Sequence, residues 1–350
     1  FLIAGVLAIQ LNTTVFPVDA GKFPVLQADA SLWRQLPLYA MLLLSPVALL
    51  NLRAFSREMI QRAPGPRVLA GGFALAALLF LLYIFAQVFT TVYDYMPVVG
   101  PPMRDRFWLA FLLPGLGMTL PLLRMRPQGL TARAGRQRGA VLHPLYFPAV
   151  LALLLGAVLA AVLPGRGAAP ARTGDGLRVV TYNLQQGYDN NGGRAYEEQM
   201  RAIQMLDADN IGLQESDTAR FSGGNADLVR TIAQGLGLHA YYGPRTVTGT
   251  FGIALLSRYP LENARTFFLY SEGEQTAAIE ADIRAGGKTY HILVTHLGNG
   301  GPIIQQQQVL ALLAGQENVI AMGDFNFRPD TPQYALTTAQ LADAFVLAGA

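Results

Sequence analysis

A long stretch without any charged side chain, residues 68–93, is the feature that most constrains how this chain can fold. Crossing the hydrocarbon core of a bilayer takes roughly 20 mostly apolar residues in a helix. A second uncharged stretch of this kind covers residues 142–163. Glycine and alanine are common in both stretches, which suits close packing between membrane helices. We therefore predict that the first part of the chain is embedded in a membrane.

Two shorter apolar stretches, residues 36–52 and 107–123, contain proline. Membrane helices tolerate proline where neighbouring helices satisfy the freed backbone groups, so we predict two further spans. The alternative for these two stretches is a re-entrant or interfacial segment. Residues 1–9 are also apolar, and we expect them to be part of a helix that is cut by the start of the sequence. The prediction is a transmembrane region over residues 1–163, with one partial and four full helices.

The loops between the predicted helices alternate in charge. Two loops, over residues 53–67 and 124–138, are rich in arginine, whereas the loops at residues 19–34 and 94–106 balance their basic residues with aspartates. Basic loops stay on the cytoplasmic side of a membrane. The C-terminal half is therefore predicted to be extracytoplasmic, which means periplasmic, extracellular or lumenal.

Charge is divided unevenly between the two halves of the chain. Residues 1–164 contain 13 of the 26 Lys and Arg and 5 of the 23 Asp and Glu, which leaves 13 basic and 18 acidic residues for residues 165–350. A nucleic-acid partner requires a basic surface, so we expect none for this acidic half. The sequence has no cysteine, which excludes disulfide partners, thiolate zinc sites and cysteine nucleophiles.

The composition changes after residue 163. Residues 164–176 are rich in Gly, Pro and Ala and are predicted to be a linker. From residue 177 to residue 350 strand and helix patterns are mixed, which favours an α/β sandwich with mixed sheets flanked by helices. We expect the four glutamines at 305–308 to form the solvated face of a helix over residues 302–313. The other helices are predicted at 195–206 and 226–236, and the strands at 177–184, 210–213, 252–257, 278–284, 289–295 and 318–322.

Five polar residues follow apolar strands of this domain, namely Asn183, Glu215, His296, Asp324 and Asn326. Taken singly, each has a structural explanation, because an Asn after a strand is often a turn former and a Glu there is often solvated. The carboxyl ends of neighbouring strands meet at one edge of a sheet, so five such positions together predict a single site.

The segments that carry these residues read TYNLQQG, LQES, GIALLSRYPL, VTHLG and GDFNFRPD. In this order and spacing they resemble the endonuclease/exonuclease/phosphatase superfamily, whose fold is the DNase I-like sandwich. The resemblance implies a phosphoric ester hydrolase that uses Mg²⁺, with Mn²⁺ or Ca²⁺ as alternatives. It implies that Glu215 is the metal ligand with help from Asn183, and that His296 donates a hydrogen bond to the phosphate. It also implies that Asp324 and Asn326 position the nucleophile and stabilise the transition state.

Two departures from the superfamily pattern stand out. The terminal Asp-His pair of the superfamily does not occur before Ala350, so we expect a domain that is truncated at its C-terminus and inactive as given. An arginine that often precedes the THL strand is also missing, and Gln275 and Thr276 occupy that region.

The segments ESDT, GGNADL, YYGPRT, SEGEQTA and THLGN give a more particular resemblance. They are similar to the C-terminal domain of the membrane proteins that remodel the lipid of glycosylphosphatidylinositol (GPI) anchors. This resemblance implies head-group contacts by Asp217, Arg245, Glu274 and Asn299, whose alternative is ordinary turn and surface chemistry.

The function predicted from these observations is a metal-dependent phosphoesterase, phosphodiesterase or transferase that acts on GPI-like or inositol-phospholipid head groups. Three alternatives stay open at this point. They are a polyprenyl-phosphate phosphatase of the cell envelope, an extracytoplasmic nuclease, and a non-catalytic membrane scaffold.

Overall fold

The structure of the protein is a computed structural model. It describes residues 2–28, 31–89, 96–124, 148, 151–153, 155–156, 159, 176–216, 224, 226–244 and 251–349. Most of the predicted membrane helix at 142–163, and the predicted linker up to residue 175, lie outside the described residues.

The N-terminal half is helical in its described parts. Of these helices, α3 is long and apolar enough to cross a membrane, with a mean hydropathy of 2.5 and no burial of its apolar window. The longer α2 contains Pro37 and Pro46 and continues to Arg62 beyond the apolar stretch, and the described parts of α1 and α5 comprise 11 and 16 residues. One candidate span is therefore present in the described residues, and the multi-helix membrane region stays a prediction. The helices are α1 (Leu2–Asn12), α2 (Leu32–Arg62), α3 (Pro66–Phe89), α4 (Gly100–Met103) and α5 (Leu109–Arg124).

The C-terminal half contains two stacked β-sheets, to which the N-terminal half adds one short strand, β1. The four-stranded sheet has the order β2-β3-β5-β4 and the five-stranded sheet the order β1-β6-β7-β8-β9. The strands are β1 (Val25–Leu26), β2 (Val179–Asn183), β3 (Asn210–Gln214), β4 (His239–Gly243), β5 (Ile253–Ser257), β6 (Glu262–Phe268), β7 (Ala277–Ala285), β8 (Lys288–His296) and β9 (Val319–Asp324). The helices are α6 (Tyr196–Leu206), α7 (Leu228–Leu236), α8 (Ile303–Leu313), α9 (Pro332–Thr338) and α10 (Ala344–Leu347).

Three apolar clusters hold this sandwich together. Leu255, Ile279 and Val294 belong to the cluster between the two sheets. A second cluster packs α6 and α7 on the outer face of the four-stranded sheet, and a third packs α8 on the outer face of the five-stranded sheet. Both sheets contain parallel and antiparallel pairs. The predicted α/β sandwich with mixed sheets and flanking helices is therefore confirmed.

Residues from the N-terminal half complete the five-stranded sheet. Strand β1 pairs with the edge strand β6, with Val25 opposite Phe268. The Phe16 ring contacts the Phe268 ring edge-on at 4.9 Å between centroids, and Phe23 is buried in the same cluster. The predicted division assigns residues 1–163 to the membrane region, but these aromatic side chains pack on the C-terminal domain. They cover apolar surface and a strand edge that would otherwise be exposed.

A buried charged cluster lies on the outer face of the five-stranded sheet. His291 Nδ1 is 2.9 Å from Asp282 Oδ1, and its Nε2 is 3.6 Å from Oε1 of the buried Glu280. The other oxygen of Glu280 accepts from Arg265 Nε at 2.9 Å. Contact with Glu280 raises the pKa of His291, burial opposes this rise, and Asp282 adds to it. Burial also opposes the ionised form of Asp282, but hydrogen bonds from Asn263 and His291 outweigh it and lower the pKa of Asp282.

This cluster predicts a pH dependence of stability. Because the pKa of His291 is raised in the folded state, its contribution is fully present below the unfolded histidine value of about 6.5 and is lost as the pH rises through the folded value. We expect the melting temperature in detergent micelles to fall over that window. His291→Gln should flatten the fall and lower stability at acid pH by about 1–3 kcal/mol, because a buried partner is removed.

His239→Gln is the matched control, because His239 lies outside this cluster on β4. A His291→Gln variant with the pH profile of the wild type would contradict the prediction.

Candidate active site

The five polar residues that follow strands come together at one edge of the sandwich. Parallel pairing places Asn183 opposite Gln214, the residue before Glu215, and places His296 opposite Asp324. Asn183 Nδ2 donates to Glu215 Oε1 at 3.1 Å and to Asp324 Oδ2 at 3.2 Å. Glu215 belongs to the four-stranded sheet and Asp324 to the five-stranded sheet. A single side-chain amide therefore connects the two carboxylates across the two sheets.

The backbone at Glu215 has an unusual conformation. Its φ of 48° lies in the left-handed region, which costs free energy for a residue with a side chain. Gln186 N–H donates to the Glu215 carbonyl oxygen at 3.0 Å, and Ser216 N–H donates to the Gly252 carbonyl oxygen at 3.1 Å. These bonds keep the chain in the turn that brings the Glu215 carboxylate beside Asn183.

Asp324 and Asn326 fix the loop that follows His296. The Leu297 N–H donates to the Asp324 carbonyl oxygen at 3.0 Å, and Asn326 Nδ2 donates to the Leu297 carbonyl oxygen at 2.7 Å. The Asn326 N–H donates to Asp324 Oδ1 at 3.1 Å, and Asn326 tolerates its own left-handed φ of 53° as Asn commonly does. The two segments, THLG and GDFN, are thus tied together by main-chain and side-chain bonds.

His296 is a neutral donor in this arrangement. Burial lowers the pKa of His296, and the negative charges of Asp324 and Glu215 oppose this shift only in part. The imidazole therefore has one N–H donor and one acceptor near pH 7. One donor is sufficient for a hydrogen bond to a phosphoryl oxygen.

Four of the five residues, Glu215, His296, Asp324 and Asn326, line a cavity of about 360 Å³ at the edge of the sandwich. Glu274 and Asn299, two of the predicted head-group contacts, line the same cavity. The Glu274 carboxylate also accepts from the Phe251 N–H at 2.7 Å. Asp217 and Arg245, the other two predicted contacts, lie outside the described residues. The cavity is lined by Glu215, Phe251, Tyr270, Glu272, Gly273, Glu274, His296, Leu297, Gly298, Asn299, Pro302, Ile304, Gln305, Asp324 and Asn326.

The glutamines of α8 are functional candidates that the sequence analysis missed. The expectation that they form a solvated face is wrong, since Gln305, Gln306 and Gln308 are buried. Gln305 Oε1 accepts from the Gly298 N–H at 2.8 Å, and its Nε2 donates to the Tyr270 carbonyl oxygen at 2.9 Å. A glutamine amide both donates and accepts, so it satisfies the backbone of two cavity-lining loops at once. Gln305 and Gln308 are three residues apart and so lie on the same face of α8. This spacing is the sequence signal for a shared buried position.

Gln275 and Thr276, at the place where the superfamily often has an arginine, are buried and structural. Gln275 Nε2 donates to the Leu269 carbonyl oxygen at 2.6 Å, and Thr276 Oγ1 is hydrogen-bonded to Ser271 Oγ at 2.9 Å. Neither residue is among those that line the cavity.

The donor set of the cavity suits a hard divalent cation. Four carboxylates, those of Glu215, Glu272, Glu274 and Asp324, line it, and its described lining contains no Lys or Arg. Among the described residues no group of three or more His, Cys, Asp or Glu is arranged to enclose a metal ion. Mg²⁺ typically uses one or two carboxylates and keeps several waters as ligands. The carboxylates of Glu215 and Asp324, which both accept from Asn183, would therefore hold the ion without a third acidic group. Asn183 Oδ1 accepts from the Gln185 N–H at 2.9 Å, so Asn183 presents its Nδ2 to the carboxylates.

The C-terminal half is similar to a described protein family and to a curated protein. Residues 176–340 match the family described as the C-terminal nuclease-like domain of PGAP2IP. Protein cwh43 of Schizosaccharomyces pombe is 28% identical over 263 residues, which cover 70% of this chain and 26% of that protein. The chain thus spans about a quarter of the length of this curated relative. Both resemblances predicted from the sequence motifs, to the superfamily and to the GPI-lipid-remodelling membrane proteins, are confirmed.

Several solved structures are similar at low sequence identity. The catalytic domain of human Nocturnin is 21% identical, with 49% of this chain and 74% of that chain covered and a TM-score of 0.40. Mannosyl-6-phosphatase of Bacteroides thetaiotaomicron is 16% identical, with 49% and 74% covered and a TM-score of 0.41. Sphingomyelinase C of Streptomyces griseocarneus is 19% identical, with 49% and 72% covered and a TM-score of 0.37.

Gly323, the glycine of the GDFN segment, lies where a larger side chain should destabilise the fold. A Cβ at Gly323 would lie 2.1 Å from the Thr295 carbonyl oxygen, which is main chain of the neighbouring β8. Gly323→Ala must therefore push β9 from β8 and displace Asp324. We expect a loss of about 1–3 kcal/mol in unfolding free energy, measured as a lower melting temperature in micelles.

Gly176→Ala serves as the control, because nothing lies within 4 Å of its added Cβ. Equal melting temperatures for the two variants would show that β9 is not packed against β8 as described.

Proposed function

We propose, from the match of residues 176–340 to the family described as the C-terminal nuclease-like domain of PGAP2IP, that this domain acts as a Mg²⁺-dependent phosphoesterase on membrane lipid head groups in the full-length protein. The observation that carries the proposal is the Asn183 amide, which donates to both Glu215 and Asp324, two carboxylates that line a cavity together with His296. The reaction is hydrolysis or transfer at the phosphate ester of a GPI-like or inositol phospholipid.

Each of these side chains has a task in breaking a phosphate ester. Bound Mg²⁺, or Mn²⁺ or Ca²⁺ in its place, would neutralise charge on the phosphoryl oxygens beside Glu215. His296 donates its N–H to a phosphoryl oxygen, where negative charge is spread in the transition state. Asp324 accepts a hydrogen bond from the attacking hydroxyl or water and aligns it with the phosphorus. Asn183 and Asn326 keep Glu215, Asp324 and the His296 loop in register, because their amides bond these groups directly.

The charges of the domain support a lipid rather than a nucleic acid as substrate. A nucleic-acid enzyme grips many phosphates with Lys and Arg. Here residues 165–350 contain more acidic than basic residues, and the described cavity lining contains four carboxylates and no Lys or Arg. A single phosphate at a metal is compatible with such a cavity, whereas a polyanion is repelled. The candidate span α3 supports placement at a membrane.

Contacts between the two halves support the extracytoplasmic placement of the domain. The loops at residues 19–34 and 94–106 are predicted on the same side of the membrane as the C-terminal domain. The domain contacts both, since Gln308 Nε2 donates to the Ala20 carbonyl oxygen at 3.4 Å and Arg104 donates to the Ser271 and Glu272 carbonyl oxygens. Segments in contact must be on the same side of the bilayer. The predicted topology therefore agrees with two independent contacts.

The test is a lipid panel with the full-length protein in detergent micelles. We expect Mg²⁺-dependent release of head group or phosphate from a GPI or inositol phospholipid, and loss of release with EDTA. Glu215→Gln and Asp324→Ala should each reduce the rate by more than about a hundredfold, because the first weakens the metal site and the second removes the acceptor that aligns the nucleophile.

Glu317→Gln, at an exposed residue outside the cavity, is the matched control. Retained activity in both cavity variants would refute the assignment. Turnover of polyprenyl phosphate alone would identify the envelope phosphatase, and turnover of an oligonucleotide alone would identify the nuclease. A folded protein without activity on any substrate and without Mg²⁺ binding would identify a scaffold.

A further inference from the structure

The loop between β6 and β7, residues 270–276, forms one wall of the cavity. We call it the cavity loop. Tyr270, Glu272, Gly273 and Glu274 line the cavity directly. The shape of the site therefore depends on how this loop is held.

The base of the cavity loop is fixed from within the C-terminal domain. Gln308 Oε1 accepts from the Tyr270 N–H at 2.9 Å, and Gln305 Nε2 donates to the Tyr270 carbonyl oxygen. Ser271 Oγ and Thr276 Oγ1 close the loop with a bond of 2.9 Å. These bonds fix both ends of the loop. They do not involve the carbonyl groups of Ser271 and Glu272.

Arg104, from the N-terminal half, is that partner. Its Nη1 donates to the Glu272 carbonyl oxygen at 3.1 Å, and its Nη2 donates to the Ser271 carbonyl oxygen. The two atoms belong to one planar guanidinium, which can fix two adjacent carbonyl groups at once. Arg104 itself ends α4, where its N–H donates to the Pro101 carbonyl oxygen at 3.2 Å.

A second N-terminal segment contacts the same loop. The Phe23 ring meets the Tyr270 ring edge-on, with 5.6 Å between centroids and an interplanar angle of 80°. The Ala20 carbonyl oxygen accepts from Gln308, the residue that also binds the Tyr270 N–H. Both α2 and α3 lie between Phe23 and Arg104 in the sequence. The two residues therefore contact the cavity loop from separate segments of the chain.

We infer that Arg104 is a positioning residue of the candidate site, and that the connection between α3 and α5 is thereby a structural part of the cavity. Without Arg104 the Ser271 and Glu272 peptide groups lose their charged partner, and the loop segment that presents Glu272, Gly273 and Glu274 becomes free to move. Only the activity measurements that test this inference rest on the proposed function.

The experiment compares Arg104→Ala with Arg106→Ala in the full-length protein in micelles. Arg106 is an exposed arginine of the same connection, and no contact of its side chain with the cavity loop is found among the described residues. Hydrogen exchange of the peptide that contains residues 270–276 should be faster in Arg104→Ala and unchanged in Arg106→Ala. Arg104→Lys should be intermediate, because an ammonium group does not match the two-carbonyl geometry.

Activity gives a second readout. On the lipid that the wild type turns over, Arg104→Ala should raise KM and lower kcat/KM by roughly tenfold, with a smaller change in kcat, because the loop shapes the cavity and does not react. Wild-type exchange and wild-type KM in a folded Arg104→Ala variant would overturn the inference. An inactive wild type would refute the proposed function only, and the exchange result would still decide the role of Arg104. If Arg104→Ala does not fold, exchange in Arg104→Lys equal to that in Arg106→Ala overturns the inference.

Discussion

The side chain of Asn183 donates to Glu215 in its own sheet and to Asp324 in the other sheet. This contact is possible only because both parallel pairs, β2 with β3 and β8 with β9, end at the same edge of the sandwich. The apolar cluster between the sheets sets their separation, and therefore sets whether one short amide can reach both carboxylates. The left-handed backbone at Glu215 is unfavourable in free energy, and the packing of the sheets offsets it. The same packing brings the backbone at Gly323 close to the Thr295 carbonyl oxygen.

Backbone polar groups of the cavity walls are satisfied by side chains from other elements. Gln305 and Gln308 bond the Tyr270 peptide from α8, and Arg104 bonds the next two carbonyls from the N-terminal half. Such loops have no strand ladder of their own, so these side chains take the place of backbone partners. Two segments of the N-terminal half, around Phe23 and Arg104, therefore belong to the surroundings of the cavity.

Most strands and helices of the domain were predictable because their apolar patterns are local and strong. The strand at β9 and the helix at α6 begin and end within a few residues of the prediction. Strand β6 was missed because its sequence, ENARTFF, mixes charged and apolar residues, and β1 was missed because two residues make no pattern. The glutamines of α8 were misjudged because side-chain polarity predicts exposure unless the buried partners are known.

The sequence by itself determined the apolar span at α3, the acidic balance of the C-terminal half and the five polar residues at strand ends, since each depends only on residue type and spacing. It also contained the motifs on which the resemblance to the matched family rests. Only the tertiary structure decided that Asn183 bridges the two sheets, that buried glutamines support the cavity, and that Phe23 and Arg104 belong to its surroundings. These contacts join residues far apart in the chain, and no local pattern encodes which distant peptide group a given side chain will meet.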